Sequence, residues 1–558
     1  MAEESVPDNV NRRRFLGLAG AGAGAGMLTV AGAGSADAQQ VSSSFDVRPG
    51  RGLARRRRGA EIRKAASNRS YRDPYPRQET NGEEAMPGYL GAYHKGMPHN
   101  EYGEVDTAAY EAYLHAFETG DPADFDAVPP GVPNARPQLN PQIIYAYDLQ
   151  GPDSYRLLCP PAPSMGSAEF AGEMVEDYWM ALLRDVPFIE YESNPALVDA
   201  AATSLSGLSG FAGPKQGGRV TARTLFRGNT PGDLVGPYVS QFLLRDVQFG
   251  PHRTAQRLDT VRPNLDFATE FGDYLLIQRG DPRATERNFS DTRYIRNARD
   301  LAHYTHFDQG YQPYINAALI LLASGIPQNE LLDQGNPYLG RPRQMGFATF
   351  GMPHLLTLIA EADKVARKPN LLQQWGIQRR LRPEVVSCRI EVQLNRAPGR
   401  YDGLLNDELL NADVLDRIRS QYGSYLLPQA FPEASPMSPD YPSGHATVAG
   451  ACATVLKAWF NEDCPLPDPL VPNADGTALV PYTGSDAGQL TIGGELNKLA
   501  ANIGNGRNMG GVHWRSSFLD AFTLGEEAAI GLLRDQKATT NEQNTFHLTR
   551  FDGTTIEI

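Results

Sequence analysis

The sequence predicts an all-α protein whose helices pack as bundles joined by long ordered connections, and three observations carry that expectation. Apolar residues recur at helical spacing in several segments. Strand-like alternation is scarce. The 558 residues include 55 glycines and 42 prolines, about a sixth of the chain, which calls for many turns between elements. The helical segments expected are 168–185, 311–324, 353–367, 371–381, 443–460, 494–503 and 513–534. The clearest strand-like stretch is Ser387-Cys388-Arg389-Ile390-Glu391-Val392. With 41% hydrophobic and 21% charged residues the chain can bury a sizeable core.

At the N-terminus, Asn11-Arg12-Arg13-Arg14-Phe15-Leu16-Gly17 sets paired arginines before a weakly apolar stretch, and Ala36-Asp37-Ala38 supplies small residues for cleavage. The order resembles a bacterial twin-arginine signal peptide over residues 1–38, which carries folded proteins to the periplasm or beyond. The stretch is mostly Gly and Ala, too weakly apolar for a good membrane anchor. Residues 39–85 are rich in Ser, Arg and Pro around Arg55-Arg56-Arg57-Arg58 and read as a flexible solvated arm. Residues 86–558 read as one helical domain, since no low-complexity linker or fixed-period repeat divides them and no segment is long and apolar enough to span a membrane.

A net charge of −13 excludes a general nucleic-acid binder. Four cysteines cannot form a disulfide framework in so long a chain. Cys452 and Cys464 are the candidates to pair, against the alternative that Cys452 is an inert buried thiol on an apolar helical stripe.

That stripe belongs to the helix expected from Ser443, where His445, Val448, Cys452, Val455, Leu456 and Trp459 share one face. Pro439-Asp440-Tyr441-Pro442 halts the preceding chain, and Ser443-Gly444 open the helix where backbone N–H groups lack partners. Two further pieces read with it. One is Gln374-Trp375-Gly376-Ile377-Gln378-Arg379-Arg380-Leu381-Arg382-Pro383; the other is Arg507-Asn508-Met509-Gly510-Gly511-Val512-His513. Arg382 and Arg507 offer planar forks of donors suited to a tetrahedral oxyanion, Ser443 a hydroxyl and Gly444 a backbone N–H.

The order Arg-Pro, Pro-Ser-Gly-His, then Arg followed six residues later by His resembles the three-part signature of vanadium-dependent haloperoxidases and type-2 phosphatidic acid phosphatases. His94-Lys95-Gly96-Met97-Pro98-His99-Asn100, Leu225-Phe226-Arg227-Gly228, residues 236–244, residues 314–318 and residues 352–356 favour the bromoperoxidase-like branch, over roughly residues 88–535. The resemblance implies two four-helix bundles and a site for vanadate, which phosphate also fits. It implies that Gln374, Arg382, Ser443, Gly444 and Arg507 surround the anion, that His513 ligates the metal, and that His445 and His513 carry the catalysis. Hydrogen peroxide, halide and an organic acceptor are the implied reactants, and a homo-oligomer is the implied assembly. The expected function is an exported enzyme that oxidises halide to a hypohalous acid equivalent. The alternatives are an acid phosphatase or phosphotransferase acting through a phosphohistidine, and a non-catalytic oxyanion-binding homologue.

Three positions depart from the bromoperoxidase pattern. Gln374 stands eight residues before Arg382, where the branch carries a lysine; Lys368, six residues earlier, is not expected to take its place. Ser517, four residues beyond His513, replaces an aspartate that orients the ligand histidine. Ser438 stands where bromoperoxidases have a second histidine. His99, His303, His306 and His354 read as packing or hydrogen-bonding residues, and Arg227 and Trp375 are candidates to line the pocket.

Overall fold

A computed structural model describes residues 49–72, 74–193, 195–283 and 289–558; the signal-peptide reading of residues 1–38 falls outside them. The chain divides into two units, residues 1–69 and 70–558. In the first, the four arginines Arg55 to Arg58 lie exposed on a helix, Pro49–Arg72, inside the segment read as an arm. Its Ala, Arg, Glu and Lys are strong helix formers, and Arg58 lies 3.8 Å from Glu61 one turn on. In the second, residues preceding Met86 already bond to the helical body: Gln78 Nε2 donates to Leu157 O and the Met165 N–H to Glu83 Oε1.

The body is helical, with four two-stranded antiparallel sheets among the described residues. Its principal helices are α1 (Ala168–Leu182), α2 (Ala298–Phe307), α3 (Gln312–Leu322), α4 (Met352–Leu372), α5 (Pro383–Glu391), α6 (Gly444–Trp459), α7 (Ile492–Met509) and α8 (Arg515–Thr539). Helices α4, α6, α7 and α8 pack as a bundle, with α2 laid along α7. Every residue of α6 from Ala446 to Trp459 is buried, so its apolar stripe is one of several packed faces. Small residues make this possible: a Cβ on Gly525 would meet Thr447 O at 1.9 Å, and one on Gly450 would meet Phe522 O at 2.4 Å. The starts of α6 and α8 are thereby drawn together, and with them the second and third sequence motifs.

Two expectations are corrected. Ser387 to Glu391 is helical, in α5, and Val392 continues it in a wide turn; this stretch is buried on every side, so its alternation carries no information about one wet face. The segments expected as separate helices at 353–367 and 371–381 are joined, since Pro369 sits within α4 without ending it and the α-helix runs on to Leu372. The chain then passes into a wide π-type turn, Gln373–Gln378, which stops at Arg379 with φ of 42°. All four cysteines are buried and free, Cys452 donating to Ile359 O. No helix among the described residues is long and apolar enough to cross a membrane.

Candidate functional site

The three motifs meet where α4, α6 and α7 end or begin. His513 lies in the short link between α7 and α8, two residues before α8 starts. Its side chain is 3% exposed. Nδ1 is hydrogen-bonded to Asp440 Oδ1, and Nε2 lies 2.9 Å from Arg382 Nη1. Arg382 Nη1, which only donates, also lies 3.3 Å from Nδ1, but a carboxylate acceptor is present only at Nδ1, so Nδ1 carries the hydrogen and Nε2 the lone pair. Burial, with Arg382 and Arg507 nearby, pushes the His513 pKa well below its usual value, which keeps the ring neutral.

Arg382 precedes α5 and is held by protein acceptors: Nε by Ser438 O at 2.9 Å, Nη1 by Val512 O at 2.9 Å, and Nη2 by Ser438 Oγ at 3.0 Å and Pro439 O at 2.9 Å. Ser438 therefore anchors the arginine. Arg507, in the last turn of α7, donates from Nη1 to Thr305 O at 3.0 Å, and its Nε is buried with no partner. A Cβ on Gly506 would meet Thr305 Cγ2 at 2.7 Å, so this glycine permits the approach of α7 to α2. Burial and the neighbouring Arg382 lower the Arg507 pKa to about 10.

Ser443 stands at the start of α6 but makes no capping hydrogen bond, and its Oγ is buried without a partner. Gly444 follows at the helix N-terminus, and a Cβ there would press on Asn370 Oδ1 at 3.3 Å. Asn370 Nδ2 and Gln374 Nε2 both donate to Pro442 O, at 2.8 and 2.7 Å, and Gln374 also reaches Asp440 O at 3.3 Å. The Gln374 amide thus fixes the turn that carries Asp440 and leads into Ser443. Lys368 faces elsewhere, 3.0 Å from Asp148 Oδ1.

His445, one residue into α6, is 27% exposed, and its Nε2 lies 3.0 Å from the buried Asp308 Oδ1 just beyond α2. Burial lowers its pKa and Asp308 opposes the shift. Asp308 also forms part of the wall of a cleft of about 550 Å³ that includes Phe249, Phe307, Ile315, Asn316 and Leu319.

Two buried donors without partners, two repelling arginines and an open helix start fit a tetrahedral oxyanion. Vanadate fits this set: His513 Nε2 would be its ligand, and Arg507 Nε, Ser443 Oγ and the first α6 N–H groups would be donors to its oxygens. Phosphate fits the same donors.

Other expected residues lie apart. Trp375 donates to Leu139 O and packs against Tyr93, Tyr113 and Phe117, and Arg227 binds Asp233 O and Gly236 O, so neither joins the cage. His99 pairs with His94 and His306 with Glu433. His354 accepts from the Phe350 N–H, and His303 packs beside Phe307. Sequence reasoning missed Asp308, Asp440 and Arg380, whose Nη2 binds Glu173 at 2.9 Å and whose Nη1 lies 3.8 Å from Asp440 Oδ2. Asp440 had a local signal, an acid bracketed by prolines beside the second motif. Asp308 had none.

A family model described as the VCPO second helical-bundle domain matches residues 414–541. The chain is 34% identical over 569 residues to the vanadium-dependent bromoperoxidase of Corallina pilulifera, covering 88% of this chain and 93% of that protein. It is 34% identical over 504 residues to that of Ascophyllum nodosum, covering 86% and 88%. Among solved structures, the homohexameric second vanadate-dependent bromoperoxidase of Ascophyllum nodosum matches with a TM-score of 0.85 and 30% identity, over 90% of each chain.

Proposed function

The chain belongs to the vanadium-dependent bromoperoxidase family, and we propose that it oxidises halide with hydrogen peroxide inside the cage formed by His513, His445, Arg382, Arg507 and Ser443. Vanadate is its cofactor. When bound, it supplies a Lewis-acid centre that activates peroxide without changing oxidation state. His513 would ligate the metal through Nε2, the nitrogen that Arg382 Nη1 approaches in this structure. Arg507, Ser443 and the first N–H groups of α6 bind the oxygens, and Arg382 supplies charge while holding the Ser438–Pro439 backbone. His445, kept neutral by burial, takes a proton from incoming peroxide, and Asp308 stabilises the imidazolium that results. The product is a hypohalous acid equivalent, and an organic acceptor meets it from the cleft beside Asp308.

The observation that supports this reading best is the pair of buried, unpartnered donors, Ser443 Oγ and Arg507 Nε, beside a histidine whose Nε2 meets only the Arg382 guanidinium. Apoprotein supplied with vanadate, peroxide and bromide should brominate a monochlorodimedone-type acceptor and show no turnover of a phosphate ester. Bromination at background with vanadium bound would reject the reading; a phosphohistidine that disappears in His513→Ala would put a phosphotransferase in its place.

Two finer points accompany it. Arg12-Arg13-Arg14-Phe15-Leu16 and Ala36-Asp37-Ala38 support export by the twin-arginine route to the periplasm or beyond; a reporter fusion that stays inside the cell whether or not the arginines are replaced would count against it. The homohexamer of the Ascophyllum nodosum protein supports a homo-oligomer, which sedimentation measures directly.

A further inference from the structure

We propose that Asp440 is the positioning residue of His513: from the turn before α6 it fixes the tautomer and orientation of the imidazole, so that Nε2 faces the anion as an acceptor. The inference rests on the reading of the cage as a vanadate site, but its geometry stands on its own. Arg382 Nη1, which can only donate, lies 2.9 Å from Nε2 and 3.3 Å from Nδ1, and Asp440 Oδ1, the carboxylate acceptor at Nδ1, takes its hydrogen. Without an acceptor at Nδ1, either ring nitrogen could carry the hydrogen, and half of the choices would spoil Nε2 as a ligand.

Asp440 is placed for this task by backbone contacts rather than by chance burial. Its N–H donates to Arg380 O at 3.1 Å, and its carbonyl accepts from Gln374 Nε2. The side chain is wholly buried, and Oδ2 makes no hydrogen bond, lying 3.8 Å from Arg380 Nη1. Its one strong partner is therefore the imidazole. Ser517 cannot be the acceptor of the same hydrogen on equal terms. Its Oγ lies 3.3 Å from Nδ1 and 3.4 Å from Asp440 Oδ1, which suits a hydroxyl donating to the carboxylate. The carboxylate is supplied from the α6 side of the link and the serine from α8, so the two side chains meet at one nitrogen from different elements.

That meeting point sets the test. In wild-type apoprotein labelled with nitrogen-15 on histidine, the resonances missing from His513→Gln assign His513, and its two-bond couplings should report hydrogen on Nδ1; hydrogen on Nε2 would overturn the proposal. Titration with orthovanadate, without peroxide or bromide, should show about 10- to 100-fold weaker binding in Asp440→Ala. Asp440→Ser combined with Ser517→Asp should recover most of that affinity, because position 517 already reaches Nδ1. Asp440→Ala binding within threefold of wild type, or a folded double variant as weak as Asp440→Ala, would overturn the proposal. Melting curves establish folding; where Asp440→Ala fails to fold, the double variant and the wild-type couplings decide. If wild type binds no vanadate, the functional reading fails and the couplings still judge Asp440.

Discussion

The two histidines of the cage are built alike at one nitrogen and differently everywhere else. Each rests on a buried carboxylate, Asp440 for His513 and Asp308 for His445. His513, however, is 3% exposed and closed at its second nitrogen by Arg382, whereas His445 is 27% exposed and lies beside the cleft wall that Asp308 helps to form. Both are kept neutral chiefly by burial, yet the neighbours act oppositely. Arg382 and Arg507 hold His513 further down, while Asp308 pulls His445 back up. A sealed ring with a fixed lone pair suits a ligand; a partly open ring whose charge a carboxylate tolerates suits proton transfer. In the proposed reading, one fold draws two functions from one side chain by changing its surroundings.

The sharpest way to break this division is to remove each ring in turn. His513→Ala should abolish bromination and weaken vanadate by at least ~100-fold, as expected when a metal ligand is lost, measured by equilibrium binding. His445→Ala should cost ~10²- to 10⁴-fold in turnover while vanadate affinity stays within a few-fold. Equal losses of binding in both variants would erase the distinction. Asp308→Asn should fall between wild type and His445→Ala, and the rising limb of its pH–rate profile should move to lower pH. The sign follows from the carboxylate: Asp308 favours the protonated ring, so neutralising it lowers the His445 pKa and the free base persists in more acid solution.

Smaller effects concern the wall between the two rings. Gln374→Lys should tighten vanadate by ~10-fold, since an ammonium about 4 Å from an anion gains roughly 4 kcal/mol before desolvation takes most of it back. Its Nζ can donate to the same Asp440 and Pro442 carbonyls that Gln374 now holds. Weaker binding would mean that the grip of the amide on the turn matters more than charge. Ser443→Ala should be the mildest change, ~5-fold in affinity for one hydrogen bond of about 1 kcal/mol, read from the same titration.

Much of this was legible in the chain. Periodicity located the bundle helices, and the Arg-Pro, Pro-Ser-Gly-His and Arg-to-His motifs do converge in space. Ser387 to Val392 misled because a helix buried on every side shows no amphipathic period. The helix expected to start at His513 begins at Arg515, a shift that puts the histidine on a link, free to face both Asp440 and Arg382. The carboxylates were harder, because pairing with a distant imidazole is a property of the fold: Asp308 is 137 residues from His445 and Asp440 is 73 from His513, among 65 acidic residues. Ser517 looked like a lost partner only because the acid that replaces it arrives from another element.

The most direct test is an orthovanadate titration of apoprotein followed in one sample by vanadium-51 resonance and by peroxide-dependent tribromide formation, for wild type beside His445→Ala. Both signals should rise and saturate together in wild type, and in His445→Ala the bound-vanadium signal should saturate at similar vanadate while tribromide stays near background. Saturated vanadium with no tribromide in wild type, or loss of vanadium binding in His445→Ala, would contradict the assignment of ligand and proton carrier to two separate histidines.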